Sequence, residues 1–194
     1  AIDHDPSMTG VPRQIRFNKD GSRMFISMRF RDRTQHSKIF QYELSEKFSI
    51  SSATYNGVFF HVGNEVTNVF HSFGFNQQGT MLYASDGSFS VAGSGVVHQY
   101  SLSVAFDLSS TITFLRSQDL EALADTTTAR GAREPSAVSF NQDGTRMFLV
   151  ESTGNEINQN TLSEAFNIAT SYFDRGLRLC GNPVSYTHLT LPTR

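Results

Sequence analysis

The chain has little of what marks a redox, membrane or nucleic-acid-binding protein. Among its 194 residues there is one cysteine, Cys180, which excludes an internal disulfide and a Cys-x-x-Cys metal pair. No apolar run approaches the length of a membrane span. Charged residues make up 18% and the formal net charge is −2, which excludes a broad basic surface for nucleic acid. What remains is a polar chain with 17 phenylalanines.

One phrase, Phe-Asn-x-Asp-Gly-Thr-x-Met-Phe, is present in three versions. They occupy residues 17–25, 75–83 and 140–148. A period near 60 residues is typical of stacked supersecondary units. Asn in the first turn position and Gly in the fourth predict a type I turn, in which the Asn side chain caps the backbone and Gly takes a left-handed conformation. Each version therefore predicts a β-hairpin.

A second phrase follows each hairpin and predicts further strands. It reads Gln-Tyr-x-Leu-Ser followed by Phe, and it lies at 41–48, 99–106 and 159–166. In the third version Asn158 and Asn160 replace the aromatic residues Phe40 and Tyr42, so that strand should pack less well. A fourth β-rich run begins near Thr54, near Thr111 and near Ser171. Segment 119–124 could form a helical turn, although a loop is the preferred prediction.

The hairpin return strands are apolar on both faces, so each sheet must lie between neighbouring sheets. Four short antiparallel strands per unit are typical of a β-propeller blade. The sequence predicts an all-β, propeller-like fold with about three four-stranded blades in an incomplete ring.

Residues 11–180 resemble a degenerate propeller-type repeat that occurs in tandem in bacterial and bacteriophage-associated proteins. The likeness rests on the two phrases and on Ser-Gln-Asp at 117–119 ahead of a proline. It implies no catalytic residues. Residues 184–193 resemble a translated transposase-type sequencing adapter, so we expect the natural sequence to stop near Asn182.

These observations predict a division of the chain into five parts. We expect a link from a preceding blade over 1–10, blade-like repeats over 11–66, 67–130 and 131–182, and a non-native tail over 183–194. The second repeat includes a long link. The remaining blades would come from a longer chain.

Ligands of propellers usually bind where the inner strands and loops converge. The residues just before the first strand of each repeat, aligned on the shared Phe, are Arg13, His71 and Ser136. This rim is a candidate site for an anionic or polar ligand, although solvated channel residues would give the same pattern.

The loop between the second and third strands of the first repeat is basic. Arg29, Arg31 and Arg33 could contact an anionic glycan or a phosphate through bidentate hydrogen bonds. The alternative is a solvated hairpin tip. Loops that vary over a constant scaffold are where specificity resides.

Catalytic and metal sites are not predicted. The Asn-x-Asp-Gly turns lack the alternating oxygen ligands and closing Glu of a calcium loop. A nucleophile, base and acid would need proximity that the sequence does not show. We therefore expect no catalytic residues, no metal and no cofactor.

The preferred hypothesis is a non-enzymatic binding or interaction module of a secreted, surface or virion-associated protein. Its ligand would be a glycan, a polyanion or a protein, with no nucleic acid and no membrane span. The alternatives are a fragment of a lactonase-like or quinoprotein-like propeller enzyme, or a structural spacer in a repeat array. An enzyme should show functional residues in single blades that break the repeat.

Overall fold

Three four-stranded antiparallel sheets contain all the strands of the described chain. The structure is a computed structural model that describes residues 10–29, 38–62, 69–87, 95–120, 135–152 and 155–178. The strands are β1 (Val11–Phe17), β2 (Arg23–Arg29), β3 (Lys38–Leu44), β4 (Ala53–His61), β5 (Val69–Phe75), β6 (Met81–Gly87), β7 (Val96–Leu102), β8 (Ile112–Asp119), β9 (Pro135–Phe140), β10 (Arg146–Glu151), β11 (Glu156–Leu162) and β12 (Ser171–Arg178). Strands β1–β4, β5–β8 and β9–β12 form blades 1, 2 and 3, each with its strands in sequence order. The predicted all-β, propeller-like fold is confirmed.

The first strands of blades 2 and 3 pack against the first two strands of the preceding blade. Strand β5 packs against β1 and β2, and β9 packs against β5 and β6. We call β1, β5 and β9 the inner strands. The fourth strands, β4, β8 and β12, form the opposite edges of the sheets.

Both faces of the return strands of blades 1 and 2 are buried, as the pattern of apolar residues predicted, whereas in blade 3 the face of β10 with Phe148 is only partly buried. In β2, Met24 and Phe25 point to opposite faces and both are buried. Phe25 belongs to an apolar cluster that joins blade 1 to blade 2, and Tyr83 of blade 2 belongs to one that reaches blade 3. Because successive side chains alternate across a sheet, blade 2 is packed on both sides.

The predicted hairpin turn is confirmed in its details. In blade 1 the Gly21 N–H donates to the Asn18 carbonyl (3.2 Å), and the Arg23 N–H donates to Asn18 Oδ1 (2.9 Å). Gly21 has φ +74°, where a side chain would be strained. Gly79 and Gly144 have the same conformation in blades 2 and 3.

A phenylalanine in an unusual backbone conformation covers each of these glycines. Phe48, Phe106 and Phe166 have φ of 59°, 54° and 62°. Each Phe N–H donates to the carbonyl of its glycine at 2.9 Å. A Cβ on the glycine would overlap the Phe ring, so the ring packs flat where a side chain is missing. This explains why the two phrases share Gly and Phe.

The third strand of blade 3 contains buried polar atoms without hydrogen-bond partners in the described chain. Asn158 and Asn160 are buried. Among the described residues, neither the Asn158 side-chain oxygen nor either polar atom of the Asn160 side chain has a hydrogen-bond partner. Buried polar atoms without partners destabilise a fold, so blade 3 has the weaker centre.

The blades have two different ends. The Asn–Gly turns and the Phe turns lie at one end, which we call the turn end. The opposite end, where β2, β4, β6 and β8 end and β3, β5, β7 and β9 begin, we call the loop end, because antiparallel strands alternate in direction. Segment 121–124 of the possible helical turn lies outside the described residues.

Candidate functional site

The three predicted rim residues occupy the same irregular position of their inner strands. The pairing of β1 with β2 skips Arg13, that of β5 with β6 skips His71, and that of β9 with β10 skips Ser136. Each residue is therefore at a β-bulge, which bends a strand and redirects a side chain. The bulges lie at the loop end, near the start of each inner strand.

The side chains at these bulges differ in exposure. Arg13 and Ser136 are exposed, whereas His71 is half-buried and its Nε2 lies 3.3 Å from the Gly87 carbonyl oxygen. A cation, an imidazole and a hydroxyl at equivalent positions provide donors for a polar or anionic group. The rim remains a prediction.

Most of the predicted basic loop lies outside the described residues. Arg31 and Arg33 belong to that part of the chain. For Arg29 only the backbone is described, and it pairs with Val11 at the end of β2.

The turn end contains a cleft that the sequence did not reveal. Its volume is about 330 Å³, within the range of small-molecule sites. All three inner strands line it, through Arg16 in β1, Gly74 in β5 and Ser139 in β9. These three residues are one position before the shared Phe in their repeats, so the cleft follows the repeat. A Cβ on Gly74 would lie 3.2 Å from the Val138 carbonyl oxygen, so the glycine permits close approach of β5 and β9.

The charge of the cleft is positive. Arg16 and Lys19 line it, and no carboxylate of the described residues does. Arg16 is half-buried, and burial lowers the pKa of its guanidinium below the ordinary value. Its one hydrogen bond within the described chain is a long one, from Nη1 to the Ile15 carbonyl (3.4 Å). A partly desolvated cation without a counterion favours an anionic ligand.

Blade 2 contains a row of three polar side chains on adjacent strands. His98 in β7 has its Nε2 3.1 Å from Asp86 Oδ1 in β6 and its Nδ1 2.8 Å from Ser117 Oγ in β8. Asp86 and His98 are buried, whereas Ser117 is exposed. A carboxylate only accepts, so Nε2 donates to Asp86, and in a neutral ring Nδ1 accepts the Ser117 hydroxyl proton.

This row breaks the repeat. Its equivalents are Met28, Phe40 and Phe59 in blade 1 and Glu151, Asn158 and Gly176 in blade 3. Blade 1 joins the same strands by an aromatic contact, with the Phe40 and Phe59 rings 6.0 Å apart. The row links three strands of blade 2, and it also has the order of groups that activates a serine hydroxyl.

The carboxylates of the Asn-x-Asp-Gly turns are engaged in the turn itself. The Ser22 hydroxyl and amide both donate to Asp20 Oδ1, and these bonds lower the pKa of Asp20 to about 2. Thr145 binds Asp143 in the same way. Within the described ranges, no cluster of three or more His, Cys, Asp or Glu side chains could hold a metal. No helix in this part of the chain is long and apolar enough to cross a bilayer.

Two features of these sites could not be found by aligning the repeats. Arg16 directly precedes a repeated Phe and is matched by Gly74 and Ser139, so nothing distinguishes it as a site residue. Ser117 belongs to the Ser-Gln-Asp motif at 117–119, and its contact with His98 arises because the β7–β8 register places the two residues opposite each other. The sequence did give one signal of a site in blade 2, because Asp86 and His98 differ from the residues at the same positions of the other repeats.

Comparisons with known proteins support the fold and go no further. No protein-family profile matches the sequence, and no curated protein does. Among solved structures, the chain is similar to a periplasmic gluconolactonase from Pseudomonas aeruginosa, with 9% identity and a TM-score of 0.54 over 86% of this chain and 39% of that one. It is also similar to a candidate 6-phosphogluconolactonase from Bacteroides uniformis, with 11% identity and a TM-score of 0.53 over 85% of this chain and 39% of that one. A candidate 6-phosphogluconolactonase from Bacteroides fragilis has 13% identity and a TM-score of 0.51 over 84% of this chain and 37% of that one.

The blades and these likenesses define the class: the chain has a β-propeller-like fold of three consecutive blades. It spans less than half the length of each of these three solved structures. The described sheets do not close into a ring, as expected for three blades.

Proposed function

We propose that this chain is a non-enzymatic binding module whose inner-strand cleft holds an anionic group, such as a phosphate or the carboxylate of an acidic glycan. The observation that carries the proposal is Arg16, a half-buried guanidinium that lines the cleft without a carboxylate partner among the described residues. An anion that enters the cleft would replace the water that Arg16 loses on burial.

The position of the cleft supports this function. Because Arg16, Gly74 and Ser139 come from three different blades, the cleft exists only when the blades are assembled. Gly74 leaves space where its equivalents carry side chains. Arg16 supplies a planar donor that suits carboxylate and phosphate, and Lys19 supplies a second charge.

The rim and the variable loops would then select among ligands. Arg13, His71 and Ser136 lie on the same inner strands as the cleft, toward the loop end. The basic loop with Arg29, Arg31 and Arg33 would contribute further contacts to a glycan or polyanion. The resemblance to tandem repeats of bacterial and phage-associated proteins supports a secreted, surface or virion-associated location, and a signal peptide or virion-associated neighbouring domain in the complete open reading frame would test it.

The test is titration calorimetry with two probes, inorganic phosphate and D-glucuronate, at constant ionic strength. We expect Arg16→Gln to weaken binding about tenfold or more, since a hydrogen bond to a charged group contributes about 1.5–3 kcal/mol. Arg13→Gln reports the predicted rim, and Arg175→Gln is the matched control, because it removes the same charge from an exposed position on β12 outside the cleft.

The outcomes distinguish between a site in the cleft, a site at the rim and no anion site. Loss of binding in Arg16→Gln alone supports the cleft, and loss in Arg13→Gln alone moves the site to the predicted rim. If neither probe binds the wild-type chain, the proposed anion site is wrong and the spacer alternative gains support.

A second candidate function is hydrolysis of an ester or lactone by Ser117. The observation that favours it is the row Asp86–His98–Ser117, which is present in blade 2 only. A neutral His98 ring would accept the serine proton as Ser117 attacks a carbonyl carbon, and Asp86 would orient the ring. The ring would return the proton to the departing alkoxide as its C–O bond breaks, and water would then hydrolyse the acyl-serine. Two of the similar solved structures are a gluconolactonase and a candidate 6-phosphogluconolactonase, and lactone hydrolysis is the same type of reaction. Their likeness to this chain concerns the fold alone.

A fluorophosphonate probe tests this candidate directly. An activated Ser117 should be labelled covalently in the wild type and not in Ser117→Ala or His98→Gln. Ser101→Ala is the matched control, since Ser101 lies one strand away in β7. If mass spectrometry finds no adduct on Ser117, the row joins strands and does not catalyse.

A further inference from the structure

The two described blade interfaces use the same aromatic contact. The ring of Phe25 in blade 1 lies 4.8 Å from that of Phe75 on the inner strand of blade 2. The ring of Tyr83 in blade 2 lies 4.3 Å from that of Phe140 on the inner strand of blade 3. Each blade therefore presents an aromatic residue to the inner-strand Phe of the next.

A glutamine forms the second shared contact. The Leu108 N–H of blade 2 donates to Gln41 Oε1 of blade 1 (2.7 Å), and the Ile168 N–H of blade 3 donates to Gln99 Oε1 of blade 2 (3.3 Å). We call the face with the aromatic residue and the glutamine the leading face. The inner-strand Phe with the following Phe-x-Ile/Leu turn is the receiving turn.

The leading face of blade 3 repeats that of blade 1 in four side chains. Arg146, Phe148, Ile157 and Gln159 stand where blade 1 has Arg23, Phe25, Ile39 and Gln41. In blade 1 the last three are buried by blade 2, whereas in blade 3 Phe148, Ile157 and Gln159 are only half-buried and Arg146 is exposed. Gln159 Nε2 donates instead to Asp174 Oδ2 within its own sheet.

The receiving turn of blade 1 is open in the same way. Ile50 is 62% exposed, whereas its equivalents Leu108 and Ile168 are 5% and 0% exposed. Phe48 is 58% exposed, and its ring packs on that of Phe17, 5.5 Å away. Within the described ranges, blade 3 thus presents a leading face and blade 1 a receiving turn, each without the partner blade that covers its equivalents.

We infer that a second copy of this chain docks head-to-tail, with the leading face of blade 3 on the receiving turn of blade 1 in the other copy. Phe148 then stacks on Phe17, the Ile50 N–H donates to Gln159 Oε1, and Arg146 reaches the Phe48 carbonyl as Arg23 reaches that of Phe106. Met24, Tyr42 and Leu44 on that sheet face of blade 1 are already buried within one chain, so the docking contacts are those of the turn and the inner strand.

Two copies are the number that closes the assembly. A head-to-tail interface generates a ring when its rotation closes and a filament when it does not. Three blades are fewer than a propeller ring contains, and two copies supply six, which lies within the usual range of four to eight. The closed dimer has two equivalent new interfaces and leaves no leading face open.

Analytical ultracentrifugation of the wild-type chain is the first test, and we expect a species of twice the monomer mass. Ile50→Arg and Phe148→Arg should each give monomers, because one removes every receiving turn and the other every leading face. Val104→Arg is the matched control and should remain dimeric. Val104 is exposed and replaces the glutamates Glu46 and Glu164 of the other blades, so a charge is accepted there.

Mixing the two monomeric variants tests the head-to-tail geometry. Ile50→Arg retains a leading face and Phe148→Arg retains a receiving turn, so an equimolar mixture should dimerise through one interface. A mixture that stays monomeric overturns the geometry, and a monomeric wild type overturns the inference altogether. The open faces would then be left for the further blades of a longer chain.

Hydrogen exchange gives a readout that needs no variant. Docking gives the Ile50 N–H an acceptor, Gln159 Oε1 of the other copy. Its hydrogen exchange should therefore slow at least tenfold as the protein concentration rises through the dimerisation range. The Leu108 amide, which is paired within each chain, should not change. Exchange at Ile50 that is independent of concentration contradicts the inference even if the variants fail to fold.

Discussion

The two described blade interfaces bind the same backbone atoms with different side chains. Between blades 1 and 2, Arg23 Nη1 donates to the Phe106 carbonyl (2.9 Å), and its guanidinium pairs with Asp107 (3.4 Å). Between blades 2 and 3, the equivalent Phe166 carbonyl accepts from Tyr83 Oη (2.8 Å) and Gln99 Nε2 (3.0 Å). The first interface contains an ion pair, whereas in the second Arg116 of blade 2 donates to the neutral side chain of Asn167, the equivalent of Asp107.

This difference shows which part of the interface is constant. The constant part is the backbone of the Phe turn, which in blades 2 and 3 offers one carbonyl and one N–H to the preceding blade. The donors can vary because any group that reaches the carbonyl satisfies it. Where Met81 replaces the arginine of blade 1, the hydroxyl of Tyr83 and the amide of Gln99 provide the donors. The geometry of the turn therefore matters more than the charge of its partner.

The largest expected effect comes from deforming the turn. Gly79→Ala places a side chain at φ +73° and against the Phe106 ring, so we expect a loss of about 3 kcal/mol in the free energy of unfolding. Gly57→Ala is the matched control, since Gly57 has φ +79° but no neighbouring atom, and it should lose about 1–2 kcal/mol. Urea unfolding measures both. Equal losses would show that the Phe–Gly contact contributes nothing.

A smaller effect should follow from removing the interface glutamines. Gln99→Leu removes two bonds to blade 3 and leaves the buried Ile168 N–H without its acceptor, which costs about 2 kcal/mol. Gln41→Leu likewise leaves the buried Leu108 N–H without its acceptor but removes only this one bond to blade 2, so we expect a smaller cost of about 1 kcal/mol. Exchange of the Ile168 and Leu108 amides reports each interface separately. An order of effects opposite to this would contradict the assignment of two bonds to Gln99.

The smallest effect distinguishes the interfaces by pH. Burial works to raise the pKa of Asp107, but hydrogen bonds from Ser109 and the charge of Arg23 outweigh it, so the pKa is lowered. A lowered folded-state pKa means that the stabilisation is present above about pH 4 and is lost as the pH falls through the folded-state value. Blade 3 has Asn167 at this position, which does not titrate.

Acid should therefore weaken the first interface only. Relative to the intrinsic exchange rate, protection of the Leu108 amide should fall below about pH 4, while that of the Ile168 amide should not. In the Asp107→Asn variant, protection of the Leu108 and Ile168 amides should depend on pH in the same way. A parallel loss of protection at both amides in the wild type would show that Asp107 is not the cause.

The sequence predicted the features that depend on local chemistry. Asn18 and Gly21 predicted the turn because their preferences act over four residues, and the apolar faces of β2 predicted sheets on both sides. Alignment on the shared Phe also brought Arg13, His71 and Ser136 to one position, although it gave no sign that this position is a bulge.

The features that depend on pairing between strands or blades were not predictable. The left-handed conformation of Phe48 follows from its fit to Gly21, which is 27 positions earlier, and no preference of Phe suggests it. Likewise the partners of Gln99 lie on another blade, and the contact of His98 with Ser117 needs the β7–β8 register. A single sequence shows these residues but not their proximity.

The closing of each turn by a Gly and a Phe has a consequence for how such chains evolve. Both the leading face and the receiving turn lie within one repeat, and the receiving turn contributes main-chain atoms beside its Phe ring. A duplicated gene segment therefore brings a compatible junction with it at both sides. Repeats can be gained, lost or exchanged between genes without a new interface having to arise, while the connections at the opposite end are left to diversify under selection.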